Sequence, residues 1–217
     1  MLRAHLKLSV SLALAGVAGA VLPVAAPAAL AQQARDAAAE AFVQQGAREV
    51  LAVLNDRSKS DAAKKEAFRQ LINRLIDVPK VTRFVLGKYA RTATPDQFNR
   101  FSTAFRTYAE GVYMKRINDY HGEKVIVLSS LVRKPGDVLV TTQLAGGRSQ
   151  QPTNIIWRVL NDGTGWKVVD VQVTGVWLAI TQQQDFVATI DNNGGKIDVL
   201  INQLQQDKGG EILHAKK

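Results

Sequence analysis

The stretch from Thr153 to Ile180 sets the tightest limit on what this chain can fold into. Two runs rich in β-branched and aromatic residues, TNIIWRVL and WKVVDVQVTGVWLAI, flank five turn formers, Asn161 to Gly165. That is the pattern of a long β-hairpin. Side chains alternate along a strand, so the first run puts Ile155, Trp157 and Val159 on one face and Ile156, Arg158 and Leu160 on the other. In the second run Lys167, Val169, Val171, Val173, Gly175 and Trp177 are expected on one apolar face, opposite Trp166, Val168, Asp170, Gln172, Thr174 and Val176. A ribbon this apolar needs a cover, and its indoles imply a wide interior.

The hairpin has company. Lys124 to Val132, Asp137 to Leu144, Ile155 to Leu160 and Trp166 to Val176 read as four strands, separated by Lys134-Pro135-Gly136, Gly146-Gly147 and the Asn161 turn. Short connections make them an antiparallel meander. The spacing sets Val138, Val140, Thr142 and Leu144 beside Ile155, Trp157 and Val159.

The sheet, residues 123–177, is bracketed by helical periodicity over 33–120 and 181–206. Val43, Ala47, Val50, Leu51 and Leu54 form one stripe; after a polar linker, Ser60 can cap a second helix carrying Phe68, Leu71, Ile72, Leu75 and Ile76. Pro79 suits a first helical turn and Gly87 a break. Thr94-Pro95-Asp96-Gln97 is a capping box with proline at the first helical position. The helix it opens carries Phe98, Phe101, Phe105, Tyr108, Val112 and Tyr113 along one stripe, which suits either an ordinary core or one wall of a ligand cavity. Phe186, Ile190, Ile197, Leu200, Ile201 and Leu204 resume the helical pattern, interrupted at Asn192 to Gly195. Helices, then strands, then helices indicate an α+β protein.

Residues 1–31 read as a cleaved secretory signal: Arg3 and Lys7, an apolar run from Leu8 to Val24, and Ala29-Leu30-Ala31 as the cleavage site. The exported product is expected to be one domain, 32–217, in the periplasm. It contains no cysteine and so relies on packing rather than disulfides. The formal net charge of +9 fits attraction to anionic lipid or an acidic partner, or a charged solvated surface, since the Lys and Arg residues are spread out. Export and the lack of a concentrated basic groove argue against nucleic acid.

Catalytic signatures are scarce. His121 and His214 stand in a turn and near the tail without partners at a recognisable spacing, and there is no metalloprotease, hydrolase or phosphate-loop motif. No metal or cofactor is expected. Asp170, inside a strand, has two readings: a general base in a cavity, or a structural acceptor for a backbone amide or a nearby cation.

The order W-x-V-x-D-V-x-V-x-G-V from Trp166, followed by a Gln-rich segment, Phe186, Gly194-Gly195 and I-D-x-L-I-x-Q-L, resembles the C-terminal half of the periplasmic lipid-binding proteins of the Mla pathway (MlaC), the toluene-tolerance family. Val78 to Phe101 is similar to that family's helical segment. Trp177 and the Leu178 to Gln184 segment look like its hopanoid-associated branch, HpnM. The resemblance implies an NTF2-like sheet-and-helix body with an added helical lobe. It also implies a non-enzymatic carrier of phospholipid or hopanoid between an outer-membrane lipoprotein complex and an inner-membrane lipid transporter. On this reading Phe101, Phe105, Tyr108 and Tyr113 supply a helix wall for the lipid, and Val140, Trp157, Val169, Val171, Val173 and Trp177 a sheet wall. Two rivals make opposite demands. An enzyme on such a cone needs Asp170 facing the cavity with a polar partner, and an envelope adaptor needs a packed core and an exposed apolar patch.

Overall fold

A computed structural model of the chain describes residues 35–117, 124–146 and 152–207, with side chains before β1 described as far as Val112. The expected signal, His121, His214 and the basic tail lie outside the described residues, as does the side chain of Tyr113. The described residues form six α-helices and a five-stranded sheet: α1 (Ala37–Asn55), α2 (Asp61–Leu75), α3 (Val78–Val85), a 3-10 turn (Gly87–Arg91), α4 (Pro95–Ile117), β1 (Lys124–Lys134), β2 (Asp137–Ala145), β3 (Thr153–Asn161), β4 (Trp166–Val173), β5 (Val176–Trp177), α5 (Leu178–Asp191) and α6 (Ile197–Gln206).

Local chemistry sets the helix starts. The Asp36, Ser60 and Asp77 side chains accept the N–H groups of Ala39, Ala63 and Lys80 at 2.9, 3.3 and 3.0 Å. At α4 the capping box is reciprocal: Gln97 N–H donates to Thr94 Oγ1 and Thr94 N–H to Gln97 Oε1, both at 3.1 Å. Each bond satisfies a donor that the first helical turn leaves without a partner.

The strands pair in the order β1-β2-β3-β4-β5, every pair antiparallel. Val138, Val140 and Thr142 stand opposite Val159, Trp157 and Ile155, on the face expected from the alternation. The second half of the hairpin departs from expectation twice. Arg158 pairs with Asp170 but Val159 with Val168, so Val169 is the extra residue of a β-bulge. The bulge puts Trp166 and Val168 on the face of Trp157 and Val171, not the face of Asp170. The strand then ends at Val173: Thr174 (φ 48) and Gly175 (φ 86) make a two-residue turn, and β5 runs back to pair Val176 with Val173 and Trp177 with Gln172. Trp177 therefore shares the face of Gln172 and Asp170, opposite Val171.

The sheet separates two hydrophobic cores. On the Trp157 face, Val138, Val140, Val159 and Val168 bury against Ala39 and Val43 of α1. The second core is built without strand residues, from the segments between α3 and α6, among them Leu86, Phe101, Tyr108, Phe186, Ile190 and Leu200. At the outer edge of β4, Ile76 forms an isolated parallel bridge to Val168 and Asp77 N–H donates to Val168 O at 3.1 Å.

Candidate functional site

The face of the sheet under α1 is closed at one end and loose at the other. Val138, Val140 and Val159 have no exposed surface. Farther along the same face, Leu144, Ile155, Trp157, Val171 and Val173 are each half-buried. Burial also changes along α1. Ala39, Val43 and Gly46 are buried, whereas Val50, Leu51, Val53 and Leu54 in the second half of α1 are half-buried, as are Leu71 and Ile72 of α2. Gly46 fixes where the layer is tight, because a Cβ there would stand 3.1 Å from Leu75 Cδ2. Apolar side chains that line one face yet are incompletely covered form a surface able to accept an apolar guest.

The chemistry of that face is uniform. Among the described residues its paired positions on β1 to β4 carry no ionisable side chain. Its buried threonine, Thr142, is satisfied: the Trp157 indole N–H donates to Thr142 Oγ1 at 2.8 Å, and that hydroxyl donates to Ile155 O at 3.3 Å. These bonds hold the indole in one orientation over the half-covered region.

The ionisable groups sit on the opposite face. Asp137, buried, receives Arg158 Nε–H at 3.1 Å and Nη2–H at 2.9 Å, with Arg133 at 3.4 Å. The Arg158 guanidinium holds the Asp137 carboxyl below its ordinary range. Burial pushes the Asp170 carboxyl up, opposed by hydrogen bonds from the Ala179 and Val171 amides and by the charge of Arg158. Asp170 Oδ1 accepts Val171 N–H at 2.7 Å and Ala179 N–H at 2.8 Å. This is the structural acceptor of the two readings: the oxygen is committed to the start of α5, on the face away from the apolar opening. Among the described residues no group of three His, Cys, Asp or Glu is placed to hold a metal ion.

The residues expected as two walls fall into two separate cores. Phe101 stacks on Phe105 with ring centroids 5.9 Å apart, and Phe186 meets both edge-on at 5.8 and 5.7 Å, with Tyr108 at 6.3 Å. Phe186 thus fills the space beside the α4 aromatic stripe. Val140, Trp157 and Val171 belong to the other core. Val173 continues their face by its pairing with Ile155, Val169 is the bulged residue, and Trp177 lies across the sheet. The half-buried stripe of α1 was not among the residues expected to touch a ligand; its apolar periodicity reads equally as a packed helix.

The sheet-and-helix architecture is that of a solved phospholipid-binding protein from Ralstonia solanacearum, determined in complex with a phospholipid: the TM-score is 0.70 over 79% of this chain and 97% of that one, at 22% identity. The likeness defines an α+β fold with an antiparallel sheet. The family model "MlaC protein" matches residues 44–206, and the chain belongs to that family. Among curated relatives, it is 23% identical to the toluene tolerance protein ttg2D of Pseudomonas putida over 81% of both chains. It is 26% identical to the intermembrane phospholipid transport system binding protein MlaC of Haemophilus influenzae, over 59% of this chain and 61% of that one. No helix among the described residues is long and apolar enough to cross a membrane.

Proposed function

We propose that this protein is an exported, periplasmic phospholipid carrier that holds acyl chains between the Trp157 face of the sheet and the α1–α2 layer. The observation that carries the reading is the change from full to partial burial along one uncharged apolar face, with Val138, Val140 and Val159 sealed and Trp157, Val171 and Val173 half-covered. A diacyl lipid has about 30 methylenes, and at about 0.8 kcal/mol each their exposure to water costs roughly 25 kcal/mol. A carrier must therefore offer apolar surface that is left partly unfilled until the guest arrives. Of the residues expected to touch lipid, Trp157, Val171 and Val173, with Val140 at the sealed end, make that contact; Phe101, Phe105 and Tyr108 hold the helical layer together around Phe186.

The solved Ralstonia protein, bound to phospholipid, and the Haemophilus relative, named for intermembrane phospholipid transport, support phospholipid as the guest. The corresponding partners are an inner-membrane lipid transporter and an outer-membrane lipoprotein complex. Trp177, which prompted the hopanoid reading, lies on the face opposite Trp157, so it is not part of this surface. The test is mass spectrometry of organic extracts of the protein purified from its native periplasm. Near-stoichiometric phospholipid is the expected result, and enriched hopanoid would replace phospholipid as cargo. A protein that takes up neither lipid from mixed vesicles would overturn the carrier reading.

A further inference from the structure

Large apolar side chains are exposed where α3 meets α5. Phe84 and Ile180 are each 40% exposed. Ile180, Gln183 and Val187 recur at helical spacing on α5, and Gln183 and Val187 line a groove of about 470 Å³ together with Phe84, Gly87 and three cations, Arg83, Lys88 and Arg91. Specific contacts tie α3 to α5 along it. Gln183 Nε2–H donates to Phe84 O at 2.6 Å, and the positive φ of Gly87 (57°) turns the chain where Val187 leaves no room for a Cβ.

The charges are unevenly matched. Lys88 pairs with Asp191 at 2.8 Å, and Asp191 also accepts the Tyr89 hydroxyl. Arg83 lies 5.2 Å from the centroid of the Phe98 ring and has no ion pair among the described residues; neither has Arg91. Two guanidiniums without an ion pair among the described residues thus flank an exposed Phe where α3, the 3-10 turn and α5 meet. Guanidinium is suited to phosphate oxygens, and each Lys or Arg near an anionic leaflet adds to the attraction.

From this juxtaposition we infer that the face built by α3, the 3-10 turn and α5 docks on an anionic phospholipid bilayer. Arg83 and Arg91 sit at the headgroup phosphates, and Phe84 and Ile180 enter the boundary between headgroups and acyl chains. Loss of Arg3 and Lys7 with the expected signal takes the full chain's +9 to +7, and that net charge adds a long-range attraction to the same surface. This goes beyond carriage of lipid, since it concerns the outside of the molecule, in a different layer from the Trp157 face.

The test is flotation of the exported protein with vesicles of phosphatidylcholine alone and of phosphatidylcholine mixed equally with phosphatidylglycerol. The expected result is binding to the mixed vesicles only, weakened by salt. The Arg83→Gln/Arg91→Gln variant should bind about tenfold more weakly, and Phe84→Ser/Ile180→Ser should lose the part of binding that survives high salt. Arg48→Gln/Arg57→Gln, with Arg48 on α1 and Arg57 in the turn after it, is the charge-matched control and should bind as the parent does. Should the double variants misfold by circular dichroism, Arg91→Gln alone carries the test, with about a threefold loss expected. No binding to anionic vesicles overturns the inference. So does an equal loss in the charge-matched control, which would reduce the effect to net charge. If vesicle binding is absent but the same substitutions block lipid transfer to a membrane protein complex, the face belongs to a protein partner instead. Lipid content measured on each variant separates this outcome from failure of the carrier reading, because the docking variants should remain loaded.

Discussion

Asp170 Oδ1 accepts the backbone N–H of Ala179 at 2.8 Å, tying the first turn of α5 to the middle of β4. No side chain caps α5 at Trp177, so this strand carboxylate serves an orphan donor of the helix from outside it. Asp170→Ala should lose about 2–4 kcal/mol, because two buried amides lose their acceptor at once. Asp170→Asn keeps an oxygen in place and should cost less. Urea denaturation of both variants checks the order; equal losses would show that the bond to Ala179 does not matter.

Asp137 and Asp170 should tilt stability in opposite directions with pH. The Asp137 carboxyl is held low by Arg158, so its contribution is present above the ordinary carboxylate pKa and disappears as pH falls through its lowered folded value. Burial raises the Asp170 carboxyl, so the folded state binds that proton more readily than the unfolded state does. Stability from that group is highest below the ordinary carboxylate pKa and falls as pH rises through the raised folded value. Melting curves across the acid range should therefore show a shallower acid limb for Asp137→Asn, with a loss of about 2 kcal/mol at neutral pH from the broken charged hydrogen bonds. Asp170→Asn should remove the downward slope on the weakly acid side.

Which parts of this were legible in the sequence depends on how local their causes are. The α4 capping box is written in four consecutive residues, and strict alternation on β2 and β3 assigns Val140 and Trp157 to one shared face as expected, although it does not state their pairing. The bulge at Val169 and the turn at Thr174 were not legible. Thr-Gly is a weak signal for a two-residue hairpin turn, which favours Asn-Gly or Asp-Gly, and apolar residues on both sides of the bulge hide the change of face. The bulge thus puts Trp166 and Val168 on the apolar face, and the turn takes Trp177 off it. The two-wall picture failed to assemble for a different reason. Phe186, 78 residues beyond Tyr108, fills the side of α4 that the stripe leaves open, and nothing near either residue states that pairing.

Gly87 should not tolerate a side chain. Its φ of 57° is unfavourable for any L-residue, and a Cβ would stand 2.7 Å from Val187 Cγ2. Gly87→Ala should cost about 2–3 kcal/mol, of which about 1 kcal/mol is backbone strain. Combining it with Val187→Ala relieves the clash but not the strain, so the double-mutant cycle should show a favourable coupling of about 1 kcal/mol. Strict additivity would mean that α3 and α5 are free to move apart.

The carrier reading makes two demands on the Trp157 face, one by charge and one by volume. Val171→Asp puts a carboxylate opposite Trp157, where the face holds no other ionisable group, and should abolish lipid co-purification. Val171 is half-buried, so the folded state can keep that carboxylate near solvent, and circular dichroism should still report the native fold. Val173→Trp tests the same face without charge. A bulky ring beside Ile155 fills the half-covered region, which should lower lipid per protein severalfold while the melting temperature stays level or rises, since new apolar contact replaces exposed surface. Full lipid content in both folded variants would place the guest elsewhere. Loss in Val171→Asp alone would mean that the chains lie along Trp157 without reaching the end of β4.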